Sequence, residues 1–294
     1  MRVLVTGANG QLGTEFVAFA TALGDDVVAL AHGDLDVSSR ESVLQTVHHI
    51  SPETILHAAA WTNVDGCETD PGRAYTVNAL GTRHIAEAAA ACDARVVYVS
   101  SDYVFDGRGG GPEGGIAYTE WDTPNPSSYY GRSKLGGERE LEALLGPAAT
   151  VVRASWVVGQ YGHNFVKTML RLASDPQMSP RVVDDQIGCP TFTADLALVL
   201  RQLAVMRLPG VFHASNQGAV SWYDFAKAIF EAAKCDPDRV RPVSSTAYAT
   251  GRTAVTAPRP AFSVLDRIAL TGVGLSMPTW RPSLDAAVAA LRAE

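Results

Sequence analysis

No apolar run in the 294-residue chain reaches the ~20 residues that a membrane-spanning helix needs. Nor is there room for a signal-peptide core at the N-terminus. Met1-Arg2-Val3-Leu4-Val5 turns polar at Thr6-Gly7 and reads as a first strand. The four cysteines, Cys67, Cys92, Cys189 and Cys235, are scattered, with no Cys-x-x-Cys spacing and no clustered histidines. That argues against a zinc site or a disulfide framework, leaves buried structural thiols as the expectation, and predicts no bound metal. Basic excess is lacking too. The formal net charge of −7 argues against nucleic acid as a partner and means that an anionic ligand needs a locally basic pocket. With no membrane segment and no leader, the expected location is cytoplasmic.

What is present is an alternation. Arg2 to Thr6 is a short β-branched run, and Thr14 to Leu23 has helical apolar spacing that stops at Gly24. Asp26 to Ala31 reads as a strand, Ser39 to Ile50 as a helix capped by Ser38 or Ser39, and Thr54 to Ala60 as a strand. Tyr75 to Cys92 predicts one long Ala-rich helix, and Arg95 to Ser101 a strand. Gly107 to Gly115 reads as a flexible surface loop, Ser128 to Leu145 as a helix ended by Gly146-Pro147, and Thr150 to Val157 as a further strand. Strand and helix in turn, with short links, predict an α/β fold: a doubly wound, Rossmann-type parallel sheet. Beyond Val158 the pattern loosens into turn-rich stretches such as Arg207 to Pro209, Cys235 to Pro242 and Thr253 to Pro260. Residues 1–158 are therefore expected to form mainly a dinucleotide-binding domain. Residues 159–294 are expected to form mainly a smaller, mixed C-terminal substrate lobe, with chain exchanged between the two.

Between the first strand and the first helix lies Thr6-Gly7-Ala8-Asn9-Gly10-Gln11-Leu12-Gly13. Glycines there let the chain turn tightly and let backbone N–H groups approach a pyrophosphate, which the helix N-terminus then favours. The spacing is Gly-x-x-Gly-x-x-Gly. After the second strand comes Ala31-His32-Gly33-Asp34, with neither an acid at the strand end for a ribose 2′-hydroxyl nor an arginine for a 2′-phosphate. The choice between NADPH and NADH stays open. Asp36-Val37 could meet the adenine, although Asp36 could equally be a turn aspartate.

Tyr130-Gly131-Arg132-Ser133-Lys134 puts a tyrosine and a lysine one turn apart on one helix face. A free tyrosine has a pKa of ~10, and a nearby ammonium is expected to lower it, so that Tyr130 can give a proton to a carbonyl oxygen while a hydride reaches its carbon. The spacing alone occurs by chance on many surface helices. Ser100-Ser101-Asp102, however, ends a strand at the sheet edge where α/β folds bind ligands, and the Ser101 hydroxyl could share the charge of a substrate carbonyl with Tyr130.

With these features the sequence resembles the short-chain dehydrogenase/reductase superfamily in its extended form and, more closely, the dTDP-4-dehydrorhamnose reductase family. The glycine loop, Ala58-Ala-Ala-Trp-Thr-Asn-Val-Asp65, Ser100-Ser-Asp-Tyr-Val-Phe-Asp-Gly107 and the Tyr130 to Lys134 stretch carry the resemblance. So do Arg153-Ala-Ser-Trp-Val157, Asn164-Phe-Val-Lys-Thr-Met169, Asp184-Asp-Gln-Ile-Gly-Cys-Pro-Thr191 and Arg259-Pro260. It implies reduction of the 4-keto group of dTDP-4-dehydro-β-L-rhamnose to dTDP-L-rhamnose with NADH or NADPH. It implies Tyr130 as proton donor, with Lys134 and Ser101 as its catalytic partners. Gly7, Gly10, Gln11, Leu12 and Gly13 would meet the cofactor pyrophosphate, Asp36 and Val37 the adenine, and Ala59, Ala60 and Trp61 its middle, with Tyr130 and Lys134 at the nicotinamide end. Ser101 and Asp102 would hold the sugar, and Trp156 would pack on it. A homodimer is compatible with the family.

The chain departs from the family pattern at three places: Ser101 stands for a usual Thr, Trp61 for Tyr or His, and Phe262 for Asn. These bear on which sugar is reduced more than on the reaction, and a related dTDP-4-keto-6-deoxysugar is an alternative substrate. Asp102 is followed by Tyr103, not by the Glu that a related 4,6-dehydratase uses. Glu15 matches one Mg²⁺ position found in some members, but nothing near Thr193 supplies a second. Lys167, Arg181 and Arg259 are candidate anchors for a nucleoside diphosphate. A non-catalytic, cofactor-binding regulatory subunit is the competing reading from another class.

Overall fold

The computed structural model describes residues 1–111, 115–250 and 255–293. The first half runs β1 (Arg2–Thr6), α1 (Gln11–Ala22), β2 (Asp26–Leu30), α2 (Arg40–Ile50), β3 (Thr54–His57), α3 (Val64–Thr69), α4 (Pro71–Tyr75), α5 (Gly81–Ala91), β4 (Arg95–Ser101), α6 (Tyr129–Leu145) and β5 (Ala149–Ala154). Then follow β6 (Val157–Val158), α7 (Phe165–Ala173), β7 (Arg181–Val183), β8 (Ile187–Gly188), β9 (Thr191–Phe192), α8 (Thr193–Met206) and β10 (Gly210–His213). The remainder is β11 (Val220–Ser221), α9 (Trp222–Ala232), β12 (Arg241–Val243), α10 (Ser245–Ala249), α11 (Ile268–Gly272) and α12 (Trp280–Ala293).

Six parallel strands form one sheet in the order β10-β5-β4-β3-β1-β2. Strands β3 and β5 are buried along their whole length, because helices cover both faces, and this is why they read as near-continuous apolar runs. Residues alternate between the two faces. Val97, Val152 and Ala154 pack with α1 and α8, whereas Val96, Tyr98 and Val151 pack with α2, α5 and Leu141 of α6. The sheet takes its sixth strand, β10, and the covering helix α8 from beyond Val158. A separate core built on α7, α9 and α12 holds the other lobe, with Phe225, Ile229 and Phe230 at its centre. The chain order reverses at β1, which has β2 on one side and β3 on the other, so the loop after β1 opens into the crevice where such sheets bind ligands.

Several elements differ from their sequence pattern. Strand β3 ends at His57, and Ala58 to Ala60 instead cross over the glycine loop, where the Ala59 N–H points to Thr6 Oγ1 at 3.4 Å. The long helix expected over Tyr75 to Cys92 is interrupted by a π-helical turn at Thr76–Leu80. The turn carries Asn78 inward, where its side chain accepts from Trp61 N–H at 2.7 Å and donates to Ser133 Oγ at 2.9 Å. The strand expected to reach Val157 ends at Ala154, because Trp156 has left-handed backbone geometry, φ 46°. Of the glycine-rich loop at Gly107 to Gly115, residues 112–114 lie outside the described residues, as do residues 251–254 of the turn-rich stretch at Thr253 to Pro260. The described part of the first loop is pinned, since the Tyr118 hydroxyl accepts from the N–H groups of Gly107 and Gly109.

Candidate active site

A cleft of about 860 Å³ opens along the C-terminal ends of β1, β3 and β4. At its floor, Gly7 has φ 70°, and a side chain there would come within 2.8 Å of the Ala59 backbone. A methyl on Gly13 would stand 2.2 Å from the Gly7 carbonyl oxygen. The loop can therefore close onto the first turn of α1 only with glycine at both places. That helix starts at Gly10 with no capping side chain and no acidic residue in its first turn, so its N–H groups face the cleft uncompensated. Gln11 donates to the Val157 carbonyl at 3.0 Å, while its buried Oε1 has no partner. Free amide donors at a helix N-terminus fit a dinucleotide pyrophosphate, which only accepts hydrogen bonds.

Asp36 and Val37 line the far end of the same cleft. Asp36 is tied back on itself: its Oδ1 accepts from Ser38 N–H at 2.9 Å and Ser38 Oγ at 2.7 Å, bonds that hold its carboxyl below the usual range. Val37 is buried, and its carbonyl pairs with the His84 ring. Ala59, Ala60 and Trp61 form the middle wall, with the Arg73 guanidinium 4.6 Å from the Trp61 ring.

Ser101, Asp102, Tyr130 and Lys134 meet at the other end of the cleft. Helix α6 begins at Tyr129 because Ser128 Oγ accepts from the Gly131 N–H, which sets Tyr130 and Lys134 on its sheet-facing side. Burial, helped by the neighbouring Asp102 charge, pushes the Tyr130 phenol well above its ordinary value, and a hydrogen bond with Ser101 opposes this. The expectation that Lys134 lowers the Tyr130 pKa is corrected here. Its Nζ donates to the Val99 carbonyl at 2.8 Å and stands 4.2 Å from the Tyr98 ring centre, and burial depresses its pKa to about 7, with Glu138 opposing. Tyr130 is thus held protonated, the form a proton donor needs.

Asp102 is 2% exposed. One oxygen accepts from Ser101 Oγ at 3.0 Å, and the other, Oδ2, has no hydrogen-bond partner although the Ser263 hydroxyl lies nearby. Desolvation pushes its carboxyl up to about 6. Beside it, Trp156 lies flat against Trp222, and the plane of Gly188 backs it so closely that a methyl there would be 2.5 Å from the indole. Trp222 lines both this cleft and a second cavity of about 680 Å³, which holds Arg181, Arg259 and Tyr248. Arg259 pairs with Asp65 at 2.9 Å. Lys167, the third candidate anchor, does not line that cavity. Glu15 accepts from the Thr193 hydroxyl at 2.8 Å, and among the described residues no group of three or more potential ligands could hold a metal ion.

Sequence reasoning missed Asn78, Glu138 and Trp222. Glu138 follows Tyr130 and Lys134 at the next helical turn, so extending the same periodicity would have found it. Trp222 lies within a Ser221-x-x-Asp224 cap, which marks the helix start but not what the indole touches. Nothing in the local sequence signals that Asn78 sits on a π turn.

The family described as RmlD substrate binding domain matches residues 1–293. The dTDP-4-dehydrorhamnose reductase of Mycobacterium tuberculosis (strain H37Rv) is 41% identical over 292 residues, covering 98% of this chain and 93% of that protein. The dTDP-4-keto-6-deoxy-D-glucose reductase of Streptomyces niveus is 38% identical over 294 residues, covering 100% and 98%. Among solved structures, dTDP-4-dehydrorhamnose reductase from Bacillus anthracis in complex with NADP superposes with a TM-score of 0.89 at 39% identity, covering 97% of this chain and 98% of that one. The chain belongs to the RmlD substrate binding domain family, that of the dTDP-4-dehydrorhamnose reductases.

Proposed function

We propose that this chain is an oxidoreductase that uses NADPH or NADH to reduce the 4-keto group of dTDP-4-dehydro-β-L-rhamnose, giving dTDP-L-rhamnose. The observation that carries the reading is the convergence of Ser101, Tyr130 and Lys134 at the end of β4, in one cleft with the glycine loop. A reduced nicotinamide held there would supply the hydride. Gly7, Gly10, Gln11, Leu12 and Gly13 would hold its pyrophosphate, and Asp36 and Val37 its adenine end. Tyr130 gives its phenolic proton to the carbonyl oxygen, and the Ser101 hydroxyl shares the charge that develops on that oxygen. Asp102 and Trp156 hold the sugar ring, and Lys134 holds the cofactor ribose. Arg181 and Arg259 answer the requirement, set by the chain's negative charge, for a basic anchor under the diphosphate. We place the protein in the cytoplasm and read residues 1–158 and 159–294 as its mainly cofactor-binding and mainly substrate-binding parts.

The Streptomyces niveus relative, named for a different 4-keto sugar, favours a second reading in which the substrate is a related dTDP-4-keto-6-deoxysugar. An NAD(P)H-oxidation assay with dTDP-4-dehydrorhamnose against a panel of other dTDP-4-keto sugars separates the two. Oxidation with none of them, while NADPH still binds, would sink both readings in favour of a regulatory subunit.

A further inference from the structure

Lys134 is a buried ammonium whose hydrogen bond goes to a neutral carbonyl, that of Val99. A cation so placed loses its proton unless an opposite charge stands nearby. The groups that face it are few. Strand β4 offers the Tyr98 ring, whose phenol burial keeps protonated. Strand β3 offers His57, which burial keeps neutral and which bonds Thr6 and Thr82 instead. Helix α6 offers Tyr130 on one side, with Asp102 beyond it, and Glu138 on the other. Among the described residues, Glu138 is the carboxylate that favours the charged lysine.

Glu138 is itself bound from two strands. Ser100 Oγ of β4 donates to its Oε1. Arg153 of β5, in register with Ser100, donates through Nε to Oε1 at 3.0 Å and through Nη2 to Oε2 at 2.7 Å. Both carboxylate and guanidinium are almost wholly buried, and the two parallel bonds fix the plane of the carboxylate. Arg153 in turn is held by the Phe105 ring, 5.1 Å away, and the His213 ring. Neither Glu138 nor Arg153 lines the cleft.

We propose that Glu138, clamped by Arg153 and Ser100, is a positioning residue: it keeps Lys134 charged and locks the helix that carries Tyr130 onto the ends of β4 and β5. The inference rests on the cofactor reading of Lys134 but not on the identity of the sugar. Deprotonation of Lys134 removes the charge with which it grips the ribose.

The test is the pH dependence of NADPH affinity, read by nucleotide fluorescence from pH 6 to 9.5, with the alkaline limb of 4-keto sugar reduction measured beside it. Glu138→Gln is expected to weaken NADPH roughly tenfold at pH 8 and to move the pH at which affinity falls downward by about one unit, the size of a lost neighbouring charge. Glu138→Asp, which keeps the charge, should restore the wild-type midpoint. Should Glu138→Gln melt below the assay temperature, the double variant Glu138→Gln with Arg153→Gln leaves no unpaired guanidinium and should show the same downward shift. A uniform loss of affinity with the midpoint unmoved would make Glu138 a structural residue only and overturn the proposal. No NADPH binding by the unaltered chain would overturn this inference together with the cofactor reading, whereas binding with no sugar reduced would overturn only the assigned reaction.

Discussion

The indoles of Trp156 and Trp222 lie face to face, with ring centres 3.6 Å apart and 12° between their planes. Trp156 reaches the cleft from a left-handed backbone position after β5, and Trp222 stands at the first turn of α9, so the stack joins the sheet to the smaller lobe. Its two sides face different spaces, the cleft with Tyr130 and the cavity with Arg181 and Arg259. A sugar nucleotide that spans both must pass this stack. Replacing Trp222 with Ala removes an aromatic pair worth about 0.5–1.5 kcal/mol beyond its buried area. The expected outcome is a KM for the sugar nucleotide raised at least several-fold, with NADPH affinity within twofold of wild type. Steady-state kinetics and cofactor titration check it, and an unchanged KM would show that the substrate does not cross here.

Tyr130→Phe keeps the ring packed against Tyr103 and removes only the hydroxyl. Turnover should fall by roughly 100- to 10,000-fold, the range of a lost general acid. NADPH affinity should stay close to wild type. Ser101→Ala should cost less, about one to two orders of magnitude, since one donor to the developing oxyanion is removed while Tyr130 remains. Wild-type turnover in the first variant would sink the proton-donor role, and in the second would leave Ser101 as a turn residue only.

Asp102 links function to stability through pH. Its carboxyl is raised from 3.8 to about 6 in the folded chain, so the protonated form is favoured by folding. That contribution is complete below the unfolded value and is lost as pH rises through about 6. A shift of this size corresponds to roughly 3 kcal/mol of penalty for the buried anion above that range. Asp102→Asn is therefore expected to melt several degrees higher than wild type at pH 8, with the gap closing toward pH 5, while its sugar reduction falls. Melting curves at the two pH values decide it; an equal gap at both would contradict the desolvation argument.

Gly13→Ala puts a methyl against the Gly7 carbonyl with no room to yield, because both atoms belong to the tight loop. A stability loss of about 1–3 kcal/mol is expected, with NADPH affinity lowered in the protein that remains folded. Thermal melting and cofactor titration of the variant measure both. By contrast, Gly33→Ala meets nothing within 4 Å and should leave both readings unchanged.

The sheet was legible because its signal is local. Alternating apolar strands and helices with short links mark out β1 to β5 and the helices α1, α2 and α6 to within a few residues, whereas α3 and α4 carry no such pattern and α5 starts later than its pattern does. The cleft was legible where chemistry depends on short spacing: the glycine loop, Ser101 with Asp102, and Tyr130 with Lys134 each fall within one turn or one helix start. Even the misread ends have causes that a strand pattern cannot carry. Apolar residues continue past His57 as Ala58 to Ala60 and resume past Ala154 at Trp156, but the chain leaves the sheet at both places, to meet the glycine loop and to turn at Trp156.

What the sequence determined by itself was which residue types stand at the ends of the parallel strands, since period and spacing follow from the backbone alone. What only the tertiary structure decided was the electrical state of those residues. Whether Tyr130 keeps its proton depends on its burial and on Asp102 beside it. Whether Lys134 keeps its charge depends on Glu138, which in turn depends on Arg153 from a neighbouring strand. Desolvation and charge pairing act across elements far apart in the chain, so no local pattern records them. The same holds for Trp222, whose place between two cavities comes from the packing of the smaller lobe against the sheet.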